Sequence, residues 1–433
     1  MNSTFVLGAA NTIVTPPLGT SLYGYGAVER PASRVNDDLR INALAFGKGK
    51  AEAILVSMDL CSIPVDLAKE LQGEISASTG IRADRIVLSA IHTHSGPCLT
   101  TIAGWGESNA EYIEKIFKPM LFEAVKAAID NVVPVLMGVG TTESHVGINR
   151  RQIMKDGSVD LGQNPYGSYD PTMTVLSFVT HDHKPVANLV HYGCHGTAAG
   201  FDCDITRDWP GYMVDRMEEQ TGAMTLFFNG TMGDTGPNIS NGKTIGDMSF
   251  VRELGYIAAS DAVRAFRTIK EYREVCYKSV SDTIKIPYRE FAPIEEIQAE
   301  FDRLDKIEKR NSTERLRYAS FKRRLEIIKS GEKRETHKEI SQILFAFNSV
   351  VLVPYPFEVF SEIALRLREY SPYQHTLTIS NSNGAYAYLP SHDQICRGGY
   401  EIMQFTDRHP YAMVENADDY FINENLRIIE KLS

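Results

Sequence analysis

Residues 85–97, RIVLSAIHTHSGP, decide how the chain is read. A short apolar run rich in β-branched residues is followed at once by two histidines and a Gly-Pro turn. Such a run, bounded by turn residues, is a buried strand, and the polar residues after it lie at the strand's carboxyl end. The arrangement recurs in AEAILVSMD (51–59), PVANLVHYGCHG (185–196), AMTLFFNGTMGD (223–234), SVVLVPYPFE (349–358) and HTLTISNSNG (375–384). Helical patterns stand between several of these runs, for example over Asp66–Ser76 and Tyr112–Ile129. The prediction is an α/β fold, a layered mixed sheet flanked by helices, with the six runs as strands of one sheet. The opening MNSTFVLGAANTIV (1–14) reads as the first strand.

Residues 293–345 have a different character. Ile294, Ile297, Phe301, Leu304 and Ile307 recur at three- and four-residue steps behind Pro293, and Phe321, Leu325 and Ile328 repeat the stripe after Asn311-Ser312. This predicts a charged helical-hairpin insertion whose charges form a solvated face. No repeat or flexible linker interrupts the rest, so one domain over 1–433 is expected.

Composition limits the possible functions. With 433 residues, 43% apolar and 23% charged, the chain has ample core for a globular protein. Forty-five basic against 55 acidic residues give a net charge of −10, with no basic block to track a phosphate backbone, so nucleic acid is not an expected partner. No apolar run approaches the roughly 20 residues that cross a bilayer. The first residues have neither a charged n-region nor an apolar stretch. A cytoplasmic location is therefore expected, secretion requiring a signal removed before residue 1. Six cysteines without a CxxC pair read as reduced thiols.

In open α/β sheets, ligands bind beyond the carboxyl ends of strands. Four strand ends here carry metal-type side chains: His92 and His94, His195, Glu358, and Tyr386 or Tyr388. On an extended chain, residues two apart share a side, so His92 and His94 can address one site. Histidine with carboxylate suits a catalytic zinc that keeps a position open. Other features carry less. GTMGDTGPN (230–238) lacks the Lys-Ser/Thr end of a phosphate loop. His181 and His183 sit in a predicted hairpin turn, while Asp59 reads either as a carboxylate orienting a histidine or as a plain strand-end turn. The 100–110 loop, with Trp105, and residues 200–206 are expected to border the cleft.

Over most of the chain outside the helical insertion, the motifs resemble the neutral (non-lysosomal) ceramidase family. The matching stretches are GAANTIVTPPLGTSLYGYG, HTHSGP, the NR of GINRRQ, HGT, GDTGPN, PFE, NGAYAYLP and GGYE, in that order. The resemblance implies a zinc-dependent amide hydrolase with His92, His195, Glu358 and Tyr388 as metal ligands. It further implies His94 facing the substrate, Arg150 binding the amide region or the developing negative charge, and Tyr400 near the reacting carbonyl. Where family members carry a catalytic serine before Pro-Asn, this chain has Gly236. Ceramidases also continue into a smaller β-sandwich domain that the resemblance does not extend to, so the expectation is amide hydrolysis and not specifically action on membrane-embedded ceramide.

The expected reaction is attack of a zinc-activated water on the N-acyl carbonyl of a small-molecule or lipid substrate, with His94 moving the proton, a scheme that needs no serine. Two alternatives stand beside it: a barrel-type metallo-amidohydrolase, suggested by HxH alone, and a catalytically inactive protein holding metal and an acylated ligand. Oligomeric state has no signature in the sequence.

Overall fold

The structure, a computed structural model, describes residues 4–26, 28–102 and 104–432; Met1–Ser3 of the expected first strand and Ala103 of the 100–110 loop lie outside the described residues. A nine-stranded mixed sheet runs in the order Met224–Asn229, Pro185–Tyr192, Thr172–Thr180, Val133–Glu143, Phe5–Ile13, Arg40–Lys48, Ala53–Met58, Ile86–Ala90, with Arg273–Glu274 also pairing on Val133–Glu143. Its two terminal pairs are parallel, and the pairs between them antiparallel.

The six apolar runs do not share one sheet. Four belong to the large sheet, while Val350–Pro354 and His375–Ile379 belong to a second, four-stranded sheet with Tyr277–Pro287 and His337–Phe347. A run buried on both faces shows that layers cover it, but not which strands lie beside it, and this is why the sequence merged the two. The strands' alternation assigns the layers. Along Ala53–Met58, Ile54, Val56 and Met58 pack with the helices Val65–Thr79 and Lys118–Asp130, whereas Ala53 and Leu55 join the core between the sheets. Phe46 and Phe345 meet edge-on in that core, centroids 5.2 Å apart. Helices Trp209–Thr221 and Met248–Arg267 cover the rest of the large sheet, and Ser361–Tyr370 with Ala417–Glu430 cover the small one. The result is helix, sheet, sheet, helix, which is not the closed parallel barrel of the alternative reading.

The large sheet curls until its ends touch. Ser57 Oγ donates to the Phe227 carbonyl at 2.6 Å, and Asn229 Nδ2 donates to the Ile91 carbonyl at 2.8 Å. The loop after Ile86–Ala90 thereby meets the loop after Pro185–Tyr192, and the His94 N–H donates to the Gly196 carbonyl at 3.0 Å. Two histidine-bearing strand ends, from the parallel pairs at opposite ends of the sheet, are thus brought together.

The helical segment is shorter than expected. Its helices are Ile294–Asp305 and Ser312–Ser330, joined through Ile297, Leu304, Phe321 and Leu325; residues 337–345 belong to a strand, not to the hairpin. Asn311 caps the second helix, its side chain accepting from the Glu314 N–H while Glu314 accepts from the Asn311 N–H. Asn311→Ala is expected to cost about 1 kcal/mol in a denaturant titration, the usual effect of losing such a cap. Among the described residues no helix is long and apolar enough to cross a membrane, and all six cysteines are unpaired.

Candidate functional site

The chain leaves the strand Ile86–Ala90 abruptly. His92 has φ of 69°, a left-handed conformation that is costly for a side chain of this kind and tends to mark functional sites. The two histidines therefore do not converge through extended-chain alternation, as the sequence reading supposed. They converge through this bend: the Nε2 atoms of His92 and His94 lie 3.1 Å apart. On the other side of His94, Gly24 (φ 121°) lies so close that a Cβ there would come within 2.4 Å of the imidazole.

Each ligand-type imidazole is oriented by backbone. His92 Nδ1–H donates to the Cys61 carbonyl at 2.8 Å, with the Asn381 amide 2.8 Å from the same nitrogen. His195 Nδ1–H donates to the Met232 carbonyl at 2.6 Å, and Trp209 Nε1–H holds the His195 carbonyl at 3.0 Å. A carbonyl partner fixes the proton on Nδ1 and leaves Nε2 as a lone pair facing the site. Glu358 and Tyr388 arrive together, being directly paired residues of the short parallel ladder Glu358–Val359 and Tyr388–Leu389.

Glu358 Oε2 stands 3.2 Å from His195 Nε2 and 3.5 Å from His92 Nε2. The ligand atoms of His92, His195 and Glu358 all lie within 4.8 Å of one another. His195 Nε2 and Glu358 Oε2 are buried without a hydrogen-bond partner. Leaving such groups unsatisfied costs roughly 1–3 kcal/mol each, so convergent orphans of this chemistry suit a cation. The proton affinities agree. Burial lowers His195, helped by Arg150 and His92, to about 3, and burial with the neighbouring imidazoles holds His94 well below its ordinary value. Burial opposes ionisation of Glu358, but His92 and His195 keep it well below the usual range. Neutral imidazole and ionised carboxylate are the states that bind metal. His92 differs: burial opposes its charged form, yet Cys61 and Glu358 raise it to about 10, so a cation would displace that proton.

Around this cluster, Arg150 donates from Nη2 to the Tyr388 hydroxyl at 2.9 Å and from Nε to Glu401 at 3.0 Å. Arg151 takes the other Glu401 oxygen at 2.8 Å. Tyr400, opening the helix Tyr400–Asp407, has its ring 5.8 Å from that of Tyr388. Tyr386, the other tyrosine at that strand end, instead packs on Phe357 and lies beneath the Lys338 ammonium. Gly236 sits in the strand Thr235–Pro237, where a Cβ would come 2.7 Å from the Thr244 Cβ; Thr244 fills the space a side chain would take. Thr235 does not replace a serine there, because its hydroxyl is buried 3.1 Å from Ser361 Oγ. Asp59 orients no histidine: it accepts from the Arg40 N–H at 2.8 Å. His181 and His183 lie in the hairpin turn, as expected.

His92, His94, Arg150, Glu358, Tyr388 and Tyr400 line one cavity of about 620 Å³, bordered by Trp105 and Phe201 from the two loops expected there. Sequence reasoning missed Cys61, which lines the cavity and orients His92 through its carbonyl, and Asn381, Glu401 and Trp209, which hold other site residues. Asn381 and Glu401 lay within the motifs HTLTISNSNG and GGYE, where only neighbouring residues were singled out. Asn381→Gly keeps the left-handed backbone (φ 49°) but removes the amide that donates to the Cys61 carbonyl holding His92, and should weaken metal binding about 10- to 100-fold in a competition titration.

The fold and site define a layered α/β protein in which two histidines and a carboxylate converge in a group that could hold a cation. Residues 5–250 match the family described as "Neutral/alkaline non-lysosomal ceramidase, N-terminal", and the chain belongs to that family. Neutral ceramidase A of Dictyostelium discoideum is 26% identical over 209 residues, 46% of this chain and 29% of that protein. The match thus takes in under a third of that relative's length. The crystal structure of neutral ceramidase from Pseudomonas aeruginosa superposes with a TM-score of 0.75 at 15% identity, covering 100% of this chain and 75% of that one. A second structure, described as ceramidase complexed with C2, gives the same score and identity over 99% and 76%. At such identity these two likenesses speak for the fold.

Proposed function

We propose that the chain is a zinc-dependent hydrolase of N-acyl amides, with zinc held by His92, His195, Glu358 and Tyr388. The observation that carries the reading is the convergence of buried, unpartnered His195 Nε2 and Glu358 Oε2 beside His92. Family membership supports the same chemistry. When bound, the cation supplies a Lewis acid for the acyl carbonyl and a water acidified to a pKa of about 7.

The chain's own residues supply the rest. Arg150 is clamped by Glu401 and Tyr388 and offers its remaining guanidinium nitrogen to the oxygen on which negative charge develops. A single well-placed donor of this kind is worth about 2.7–4 kcal/mol. His94 lines the cavity as a neutral base, able to accept a proton and return it to the leaving amine. Tyr400 closes the wall beside Tyr388, where the acyl carbonyl would rest. No serine nucleophile enters, which is consistent with Gly236. The substrate is a small molecule or lipid bearing an N-acyl group.

The test combines metal analysis with a panel of N-acyl amides. One zinc per chain, with turnover lost to a chelator and restored by zinc, is the expected result. Bound zinc without turnover on any member would mean a ligand-holding protein instead.

A further inference from the structure

The arginines around the cavity differ in how their charge is met. Arg150 and Arg151 share Glu401. Arg30 donates to the His94 and Asp202 carbonyls. The cavity's lysine, Lys338, lies over the Tyr386 ring at 3.5 Å, with Glu335 and Asp66 acting on its charge.

Arg408, like Arg30, has no carboxylate within ion-pair distance among the described residues, but unlike Arg30 it lines the cavity itself. It follows the helix Tyr400–Asp407 and lines the same cavity as His92 and Glu358. Among the described residues its contacts are neutral: Gln404 Oε1 at 3.4 Å and the Tyr23 hydroxyl. The adjacent carboxylate is engaged elsewhere, Asp407 accepting from Arg317 at 2.9 Å. His409 on the other side gives its Nε2–H to the Tyr386 carbonyl at 2.9 Å. Arg408 is half-buried and has no carboxylate partner, so its guanidinium is available to an anion, and its planar fork matches a carboxylate in two parallel hydrogen bonds. It lines the same cavity of about 620 Å³ as Tyr400 and Glu358, so a carboxylate on the amine side of a substrate held there lies within its reach. Ile63, Val65, Ile102, Trp105 and Phe201 supply apolar wall for that tail.

We propose that Arg408 is a specificity residue that binds a carboxylate on the amine side of the substrate, making N-acyl α-amino acids, rather than neutral N-acyl amides, the preferred substrates. In such compounds one carbon separates the carboxylate from the amide nitrogen, which suits an anion site in the same cavity as the reacting centre. The inference rests on the amidase reading of the site.

The probes are N-dodecanoylglycine and its neutral counterpart N-dodecanoylglycinamide, which differ only in carboxylate against carboxamide. Their binding to the full chain is measured by calorimetry, with zinc and after chelation, so that turnover and direct metal–carboxylate contact do not decide the outcome. Wild type should bind the carboxylate at least about 10-fold more tightly in both states. Arg408→Gln should bring the ratio close to 1 while leaving the glycinamide affinity unchanged, which also reports an intact fold. Equal binding by wild type, or a preference that survives in Arg408→Gln, overturns the proposal. Should the glutamine variant not fold, Arg408→Lys serves in its place. It keeps the charge without the fork and should lower the ratio, and an unchanged ratio overturns the proposal. A role on the oxyanion would instead weaken turnover of both compounds alike. Hydrolysis is scored separately: failure on both compounds counts against the amidase reading, while the binding ratio still decides the role of Arg408.

Discussion

His195→Ala should remove bound zinc and lower N-acyl amide turnover by more than about 10³-fold, exceeding the roughly 10²–10³-fold loss of one oxyanion donor. His195 is fully buried, its Nδ1 is held by the Met232 carbonyl, and its Nε2 has no partner other than the candidate site. Alanine therefore removes a ligand without stranding a carbonyl in the core, because the Met232 and Thr235 carbonyls near Nδ1 also accept from the Thr235 and His195 N–H groups. Metal content and turnover should fall together while the circular dichroism spectrum is retained. Full zinc content in the variant would show that the cation, if any, sits elsewhere.

Glu401→Gln should have the largest effect on stability. Glu401 is 1% exposed and accepts from Arg150 at 3.0 Å and Arg151 at 2.8 Å. Glutamine keeps the shape but removes the charge and turns one acceptor into a donor facing a guanidinium. Two buried cations would then have lost their shared counter-ion, a change that typically costs about 3–5 kcal/mol, a large part of the 5–15 kcal/mol that holds a domain folded. The denaturation midpoint should drop accordingly, and activity should fall in what remains folded because Arg150 loses its clamp. A shift equivalent to less than about 1 kcal/mol would mean that Glu401 is not the partner that keeps both arginines in place.

The strands and their polar ends could be read from the sequence because burial on both faces leaves continuous apolar runs, and because strand ends collect metal-type residues. His92, His195 and Glu358 were found in this way. Two features were not legible. Assignment of Val350–Pro354 and His375–Ile379 to a second sheet depends on pairing partners distant in sequence, which periodicity does not encode. The bend at His92 is likewise set by tertiary context, its backbone N–H donating to the Leu60 carbonyl at 2.9 Å. The extended geometry expected for the His-Thr-His segment therefore does not account for how the two imidazoles come together. The supporting groups were harder still, since Glu401 and Asn381 gain meaning only beside Arg150 and His92, some 250 and 290 positions away. The expected hairpin ran past Ser330 because the strand His337–Phe347 opens with His337, Lys338 and Glu339, which continue the polar composition of the helices.

The most direct test of the proposed cation is X-ray absorption at the zinc edge of the full chain incubated with zinc, wild type beside His195→Ala. The account predicts one zinc per wild-type chain, with two imidazoles and oxygen donors in its shell, and no ordered zinc in the variant. A zinc shell without histidine, or one identical in the two proteins, would contradict it.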